Sequence, residues 1–272
     1  MNGDLDALMN AACQAMDIAA QMALSRKPEV TAKKGERDMV SDLDIAIERT
    51  VRGFLADATP EIGFLGEEEG ATGAQAGLRW ALDPIDGTAN FVAGIPLFAV
   101  SLALIDDQQS LIGVVDIPVL GERYTAAQGG GARLNGDPIA VRQVHNLADA
   151  IVATGDYAVS NDAVSANPLR LAITRHLAER VQRVRMIGSA AIDLTWVAAG
   201  RLDASIMLSN KPWDTAAGVI IAREAGAAVV DSDGAHHGLE SSATIAASQH
   251  ILPQILNLIR DAKNQVSNEP NL

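Results

Sequence analysis

"LRWALDPIDGTANF" spans Leu78 to Phe91. Arg79 to Leu82 reads as a buried strand that breaks off at Asp83-Pro84-Ile85-Asp86. Two acids three residues apart, directly after an apolar strand, are costly unless something cationic meets them. Gly87 and the amides after it suit the start of a helix, where backbone N–H groups can hold a phosphate. The stretch therefore predicts a strand, a turn carrying carboxylates, and a helix, which together make a joined metal and phosphate cradle.

Upstream, apolar residues at helical spacing predict a helix over about Leu5 to Ala23. A polar stretch, Ser25 to Arg37, follows and is expected to act as a lid beside the site, with Lys33, Lys34 and Arg37 in it. A second helix starts near Ser41, which can cap it with Asp44 three residues on, and Pro60 ends the pattern. Short apolar segments then end in acids or glycine. Ile62 to Leu65 runs into Gly66-Glu67-Glu68-Glu69-Gly70, and strands over Leu97 to Ile105 and Leu111 to Ile117 flank a turn at Asp106-Asp107. The first half thus predicts two helices and a largely antiparallel sheet.

The second half alternates. Strands are expected at Ala150–Thr154, Val184–Ile187, Leu202–Leu208 and Ala227–Val230, and helices at Leu169–Val181, Ala190–Ala199, Thr215–Ala225 and Ile251–Ala262. The division expected is an N-terminal α+β subdomain over 1–145, a C-terminal α/β subdomain over 146–265 that closes the site, and a frayed polar tail over 266–272.

With 272 residues, 48% of them hydrophobic, the chain can bury a large core, although only 3% are aromatic. A net charge of -13 argues against nucleic acid or an anionic membrane as partner, while a bound cation would still admit an anionic small molecule. Cys13 is the single cysteine, so no internal disulfide forms, and a reducing cytoplasmic setting is expected. Neither a secretory leader nor a membrane span is expected. Acid clusters stand at Glu67-Glu68, at Asp83 with Asp86, and at Asp214 after Trp213. Several carboxylates converging with no His or Cys cluster favour a hard cation such as Mg2+. The acids in the central motif are separated by Pro84 and Ile85, not by one residue as in the Asp-x-Asp-x-Thr pattern of phospho-aspartate enzymes. That spacing favours a metal-activated water over an aspartate nucleophile.

In these motifs the chain resembles the inositol monophosphatase family. The matching residues are Gly66-Glu67-Glu68, Asp83 to Phe91, and Trp213-Asp214, supported by Lys34-Gly35-x-x-Asp38 with Asp44 beyond it and by Gly188-Ser189-Ala190-Ala191. The resemblance implies an α/β layered fold, the alternating αβαβα sandwich shared with fructose-1,6-bisphosphatase, usually as a homodimer. It also implies Mg2+-dependent phosphomonoester hydrolysis with two or three ions per site, lithium-sensitive in many members. Carried over, the metal ligands are Glu67, Asp83, the Ile85 carbonyl, Asp86 and Asp214, with Asp83 bridging two ions. Asp44, the Thr88 hydroxyl and Glu67 form the catalytic set, and Glu68 supports the ligands. Gly87, Thr88, Gly188, Ser189, Ala190 and Asp214 contact phosphate or substrate.

The family's substrates include inositol phosphates, fructose 1,6-bisphosphate, histidinol phosphate and 3'-phosphorylated nucleotides. Thr88-Ala89-Asn90-Phe91 resembles the inositol-type branch; the nucleotide branch more often has Lys-Glu-Phe after the threonine. One position departs. Inositol-type members carry a substrate-binding Glu seven residues before the Trp-Asp aspartate, and here that position is Met207. A thioether is only a weak acceptor, so Met207 reads equally well as core, with the neighbouring Asp203 idle. Lys211 near the mouth is expected to be exposed, whereas Cys13, Trp196, Trp213 and Trp80 are expected to pack. The readings left open are a phosphatase for a small polyol or sugar phosphate, one for histidinol phosphate or a sugar or aminoglycoside phosphate of secondary metabolism, and a non-catalytic metal-bound dimer that binds a partner.

Overall fold

The computed structural model describes residues 2–25, 30–33, 39–159 and 163–268. The chain stacks in five layers, αβαβα, as the resemblance implies. The outermost layer pairs α1 (Asn2–Ser25) with α2 (Asp42–Ala58). Their apolar stripes, including Met16, Ala19, Ile47, Val51 and Leu55, bury against Trp80, Leu82, Leu102 and Val114 of the sheet beneath. A two-stranded ribbon, β1 (Val30–Lys33) with β2 (Met39–Ser41), lies within the stretch expected to be a lid. The other residues of that stretch, with the Lys34-Gly35-x-x-Asp38 match, lie outside the described residues.

The second layer is the large sheet. It holds β3 (Gly63–Gly66), β4 (Gly70–Thr72), β5 (Arg79–Asp86), β6 (Ala99–Ile105), β7 (Ser110–Ile117), β8 (Glu122–Ala127), β9 (Ala132–Leu134) and β10 (Asp137–Ile139), in the order β10-β9-β8-β7-β6-β5-β3-β4. It is antiparallel except where β3 runs parallel to β5. The short helix α3 (Thr88–Ala93) follows β5.

Two helices from the second half, α5 (Ala190–Ala198) and α6 (Pro212–Glu224), form the middle layer and cover the other face of this sheet. They also cover the five-stranded fourth layer: β11 (Ile151–Thr154), β12 (Arg183–Arg185), β13 (Ala204–Met207), β14 (Ala228–Val230) and β15 (Thr244–Ala247), in the order β12-β11-β13-β15-β14. The fifth layer, α4 (Ala163–Arg180) and α7 (Leu252–Asn268), packs Ile173, Leu177, Ile255, Leu258 and Ile259 onto the far side. No helix of the described residues is long and apolar enough to cross a membrane.

Several bounds move. The strand expected to stop at Leu82 continues to Asp86. The helix expected from Thr215 begins at Pro212, so Asp214 sits in its first turn instead of ahead of it. The last helix reaches Asn268, which corrects the start of the expected tail at 266. Strand β15 went unpredicted because Thr-Ile-Ala-Ala is wholly buried and half alanine, so it shows neither alternation nor strong strand propensity.

Candidate metal centre

The site forms where β3 and β5 run parallel. Their register pairs Gly66 with Leu82, so the next residues on each strand, Glu67 and Asp83, come side by side. β3 stops there, but β5 continues against β6. Three steps along β5, Asp83 to Asp86, span only two along β6, Ser101 to Ala99. Residues three apart on a regular strand face opposite ways; the extra residue is a bulge that re-aims the chain after Asp83. Proline at 84 suits such an interruption.

Asp214 arrives from the middle layer, in the first turn of α6, which packs across the sheet. Ser101, directly across from Asp83 on β6, donates its hydroxyl to the Trp213 carbonyl at 3.2 Å and ties that turn to the sheet. Oxygens of Glu67, Asp83 and Asp214 all lie within 4.8 Å of one another. Asp83 is 2% exposed. Burial pushes its carboxyl well above the ordinary range, and the charges of Glu67, Asp86 and Asp214 push it the same way. Its Oδ1 accepts the Ile85 N–H at 2.9 Å. An all-oxygen carboxylate set, with its most buried member crowded by other acids, fits a hard divalent cation.

Asp86 stands apart from those three. Its Oδ2 accepts the Ser189 hydroxyl at 2.6 Å and the Ala191 N–H at 2.6 Å, which pins it to the start of α5. Burial raises it to about 6, against the pull of these donors and the Ala190 N–H. The Gly188-Ser189-Ala190 stretch, read from the sequence as a substrate contact, thus also anchors Asp86, and the Ser189 hydroxyl in turn accepts the Ile192 N–H at 3.2 Å.

Asp44 uses its two oxygens for two tasks. Oδ2 closes a capping box on α2, accepting the Ser41 N–H at 3.0 Å and the Ser41 hydroxyl. Oδ1 faces the Thr88 hydroxyl at 3.3 Å, which also lies 3.0 Å from the Ile85 carbonyl. Burial raises the Asp44 carboxyl, Ser41 opposes the rise, and Glu67 adds to it. Gly87 holds φ +96, and a Cβ there would stand 3.0 Å from the Gly188 carbonyl, so the loop before α3 needs glycine.

Two residues that sequence reading passed over hold the site together. Ser101 is one. The other is Glu48, a fully buried acid on α2 that accepts the N–H of Glu68 at 2.8 Å and of Glu69 at 2.9 Å while Arg52 pairs with it at 2.5 Å. It fixes the backbone immediately after Glu67. A Cβ on Gly66 would fall 2.2 Å from the Glu48 carboxyl carbon, which explains the glycine of the Gly-Glu-Glu run. The only sequence hint was a charged residue on the apolar stripe of α2, between Ile47 and Val51.

Met207 is buried on β13 with its Cγ 3.5 Å from where a Cβ on Gly155 would sit. Its neighbour Asp203, expected to be idle, is a structural anchor: Arg142 grips it at 2.8 and 2.6 Å and the Ile151 N–H reaches it at 2.7 Å. Lys211 is exposed, 5.8 Å above the Trp213 ring. Trp80 is buried and donates to Thr59 at 3.0 Å, whereas Cys13, Trp196 and Trp213 are half-buried.

A profile described as "Inositol monophosphatase family" matches residues 4–264. An inositol-1-monophosphatase of Rhizobium meliloti is 38% identical, the match covering 93% of this chain and 96% of the relative. A protein named Nus factor SuhB, from Pasteurella multocida, is 35% identical over 96% of this chain and 97% of its own. The solved structure of the extragenic suppressor protein suhB from Bartonella henselae superposes with a TM-score of 0.87 at 33% identity, covering 93% of this chain and 98% of that one. The chain belongs to the inositol monophosphatase family of phosphoric monoester hydrolases.

Proposed function

We propose that this chain is a Mg2+-dependent phosphatase for the monoester of a small polyol or sugar, working as a cytoplasmic homodimer. The observation that carries the reading is the convergence of Glu67, Asp83 and Asp214 within 4.8 Å. Glu67, Asp83, the Ile85 carbonyl, Asp86 and Asp214 would hold two or three ions. Bound there, divalent ions neutralise the phosphate, lower the pKa of a water and stabilise the departing alkoxide.

The chain's own residues supply position and proton handling. The Gly87 and Thr88 amides hold the phosphate oxygens. The Thr88 hydroxyl, oriented by Asp44 and the Ile85 carbonyl, accepts a hydrogen bond from the attacking water and passes a proton toward Asp44 Oδ1. Asp44 suits that role because burial has already made its protonated form accessible. The Asp86 carboxylate, fixed on α5, couples the metal side to the Gly188 turn that faces the alcohol.

Phosphate release from inositol 1-phosphate, fructose 1,6-bisphosphate, histidinol phosphate and aminoglycoside or sugar phosphates, with and without Mg2+, tests this reading. Release only with the metal is expected. A purely partner-binding role, for which the name of the Pasteurella relative speaks, is favoured instead if no ester is turned over at any Mg2+ concentration.

A further inference from the structure

The side of the site away from the metals carries negative charge of its own. Asp156 follows β11 and is exposed, and its Oδ2 lies 3.5 Å from the position a Cβ on Gly188 would take. The Gly188 carbonyl is in turn 3.0 Å from the corresponding position on Gly87, at the proposed phosphate loop. Asp156 therefore lies beside the Gly188 turn, against which the Gly87 loop packs. Among the described residues it has neither an ion pair nor a hydrogen bond, whereas Glu69, Glu48, Asp116, Asp203 and Glu122 are each gripped by an arginine.

A second acid lies nearby. Asp193, on the first turns of α5, is 1% exposed, and its Oδ1 finds no partner among the described residues. Burial pushes its carboxyl well above the ordinary range, and the charges of Asp86 and Asp156 push it the same way, so the three belong to one neighbourhood. Opposite Asp156, Gly155 abuts Met207, an apolar wall that offers a hydroxyl only a weak partner. An unpaired carboxylate at the rim, with apolar Met207 packed against Gly155 beside it, suits a polyol or sugar that bears an ammonium group better than one that bears only hydroxyls.

We propose that Asp156 is a specificity-determining residue that selects phosphate esters whose alcohol carries a protonated amine, binding that amine through a charge-assisted hydrogen bond. This rests on the phosphatase reading above and names its substrate class.

The test compares glucosamine 6-phosphate with glucose 6-phosphate, which differ by an amine in place of a hydroxyl. In wild type with Mg2+, kcat/KM is expected to favour the amine by about tenfold, the worth of one hydrogen bond between charged groups. Asp156→Asn should bring the ratio close to one, mainly through KM for the amine, and Asp156→Glu should restore part of it. A merely structural role would lower both esters together and leave the ratio intact. A wild-type ratio near one, or a ratio that survives in Asp156→Asn, overturns the proposal while leaving the phosphatase reading standing. Hydrolysis of neither these esters nor inositol 1-phosphate removes both.

Discussion

Asp83 and Asp203 are the same residue type and each 2% exposed, Asp83 within β5 of the large sheet and Asp203 just before β13 of the smaller one. Their surroundings are opposite. Asp203 has a two-pronged arginine and a backbone N–H, a closed set of donors. Asp83 has one backbone donor and three acids for neighbours, and among the described residues no base pairs with it. A buried carboxylate costs several kcal/mol unless its partners repay it. Asp203 is repaid inside the chain and so stabilises the fold; Asp83 is not, which is why the proposed function assigns it a cation from solution. What separates the structural acid from the proposed metal ligand is pairing, and burial alone does not distinguish them.

The contrast breaks most sharply on substitution. Asp83→Asn should lower Mg2+-dependent phosphate release by roughly 10³-fold or more, the scale of losing an essential electrostatic group. The same change removes like-charge repulsion, so the melting temperature in metal-free buffer should hold or rise. Asp86→Asn should lose activity on the same scale with the fold kept, because asparagine still accepts from Ser189 and Ala191. A metal-free melting temperature that drops in both variants would mean these acids are structural after all.

Arg142→Met should give the reverse pattern. It leaves Asp203 buried with one donor, and stability should fall by about 2 kcal/mol in urea titrations, short of a fully buried pair because the guanidinium is partly exposed. At a temperature where the variant is folded, kcat should stay within about twofold of wild type. A large loss of kcat with normal stability would place Asp203 in the site.

Glu48 sharpens the comparison because it lies between the two cases: paired like Asp203, yet placed to serve Glu67. Glu48→Gln keeps the shape but turns one acceptor into a donor that faces the N–H of Glu68 or Glu69. The metal affinity should weaken by about 10- to 100-fold, as when groups supporting metal ligands are lost. Calorimetric Mg2+ titration of the protein without substrate reads this directly, and excess Mg2+ should restore most of kcat. Unchanged affinity would reduce Glu48 to a helix–loop tie.

These cases also show how much was legible beforehand. The acids at the ends of apolar runs are local patterns, so Glu67, Asp83, Asp86 and Asp214 stood out, as did the Ser41–Asp44 cap. The αβαβα order rested on the family resemblance, because nothing local says that α5 and α6 slide between two sheets. Ser101 and Glu48 escaped notice for one reason. Each acts on a partner far away in sequence, Ser101 on Trp213 and Glu48 on the Glu68–Glu69 backbone. A serine within an apolar strand and a glutamate within an amphipathic helix look ordinary until the register is known. Asp203 was read as idle because its arginine comes from a connection 61 residues upstream.

His237 extends the comparison to a group that solves burial by staying neutral. It is almost fully buried, with Nε2 3.0 Å from the Thr244 hydroxyl, and burial together with the nearby Arg223 charge lowers its pKa to about 4. The unfolded chain takes up the proton near pH 6.5 while the folded chain resists until about 4. Between those values the unfolded state binds more protons, so the stability His237 contributes is complete above pH 6.5 and drains away as pH falls. From pH 7.5 to 5.5 the loss should be about 1 kcal/mol. The buried acids bend the wild-type curve the other way: their raised pKa values make the folded state the better proton binder in part of the same range. The clean measurement is therefore a difference. Urea midpoints of wild type and His237→Gln, taken at both pH values, should draw closer by that amount at the lower pH, since glutamine fills the site without titrating. If the gap stays constant, His237 takes up its proton in the fold as readily as in the unfolded chain, and neutrality is not how this residue tolerates its burial.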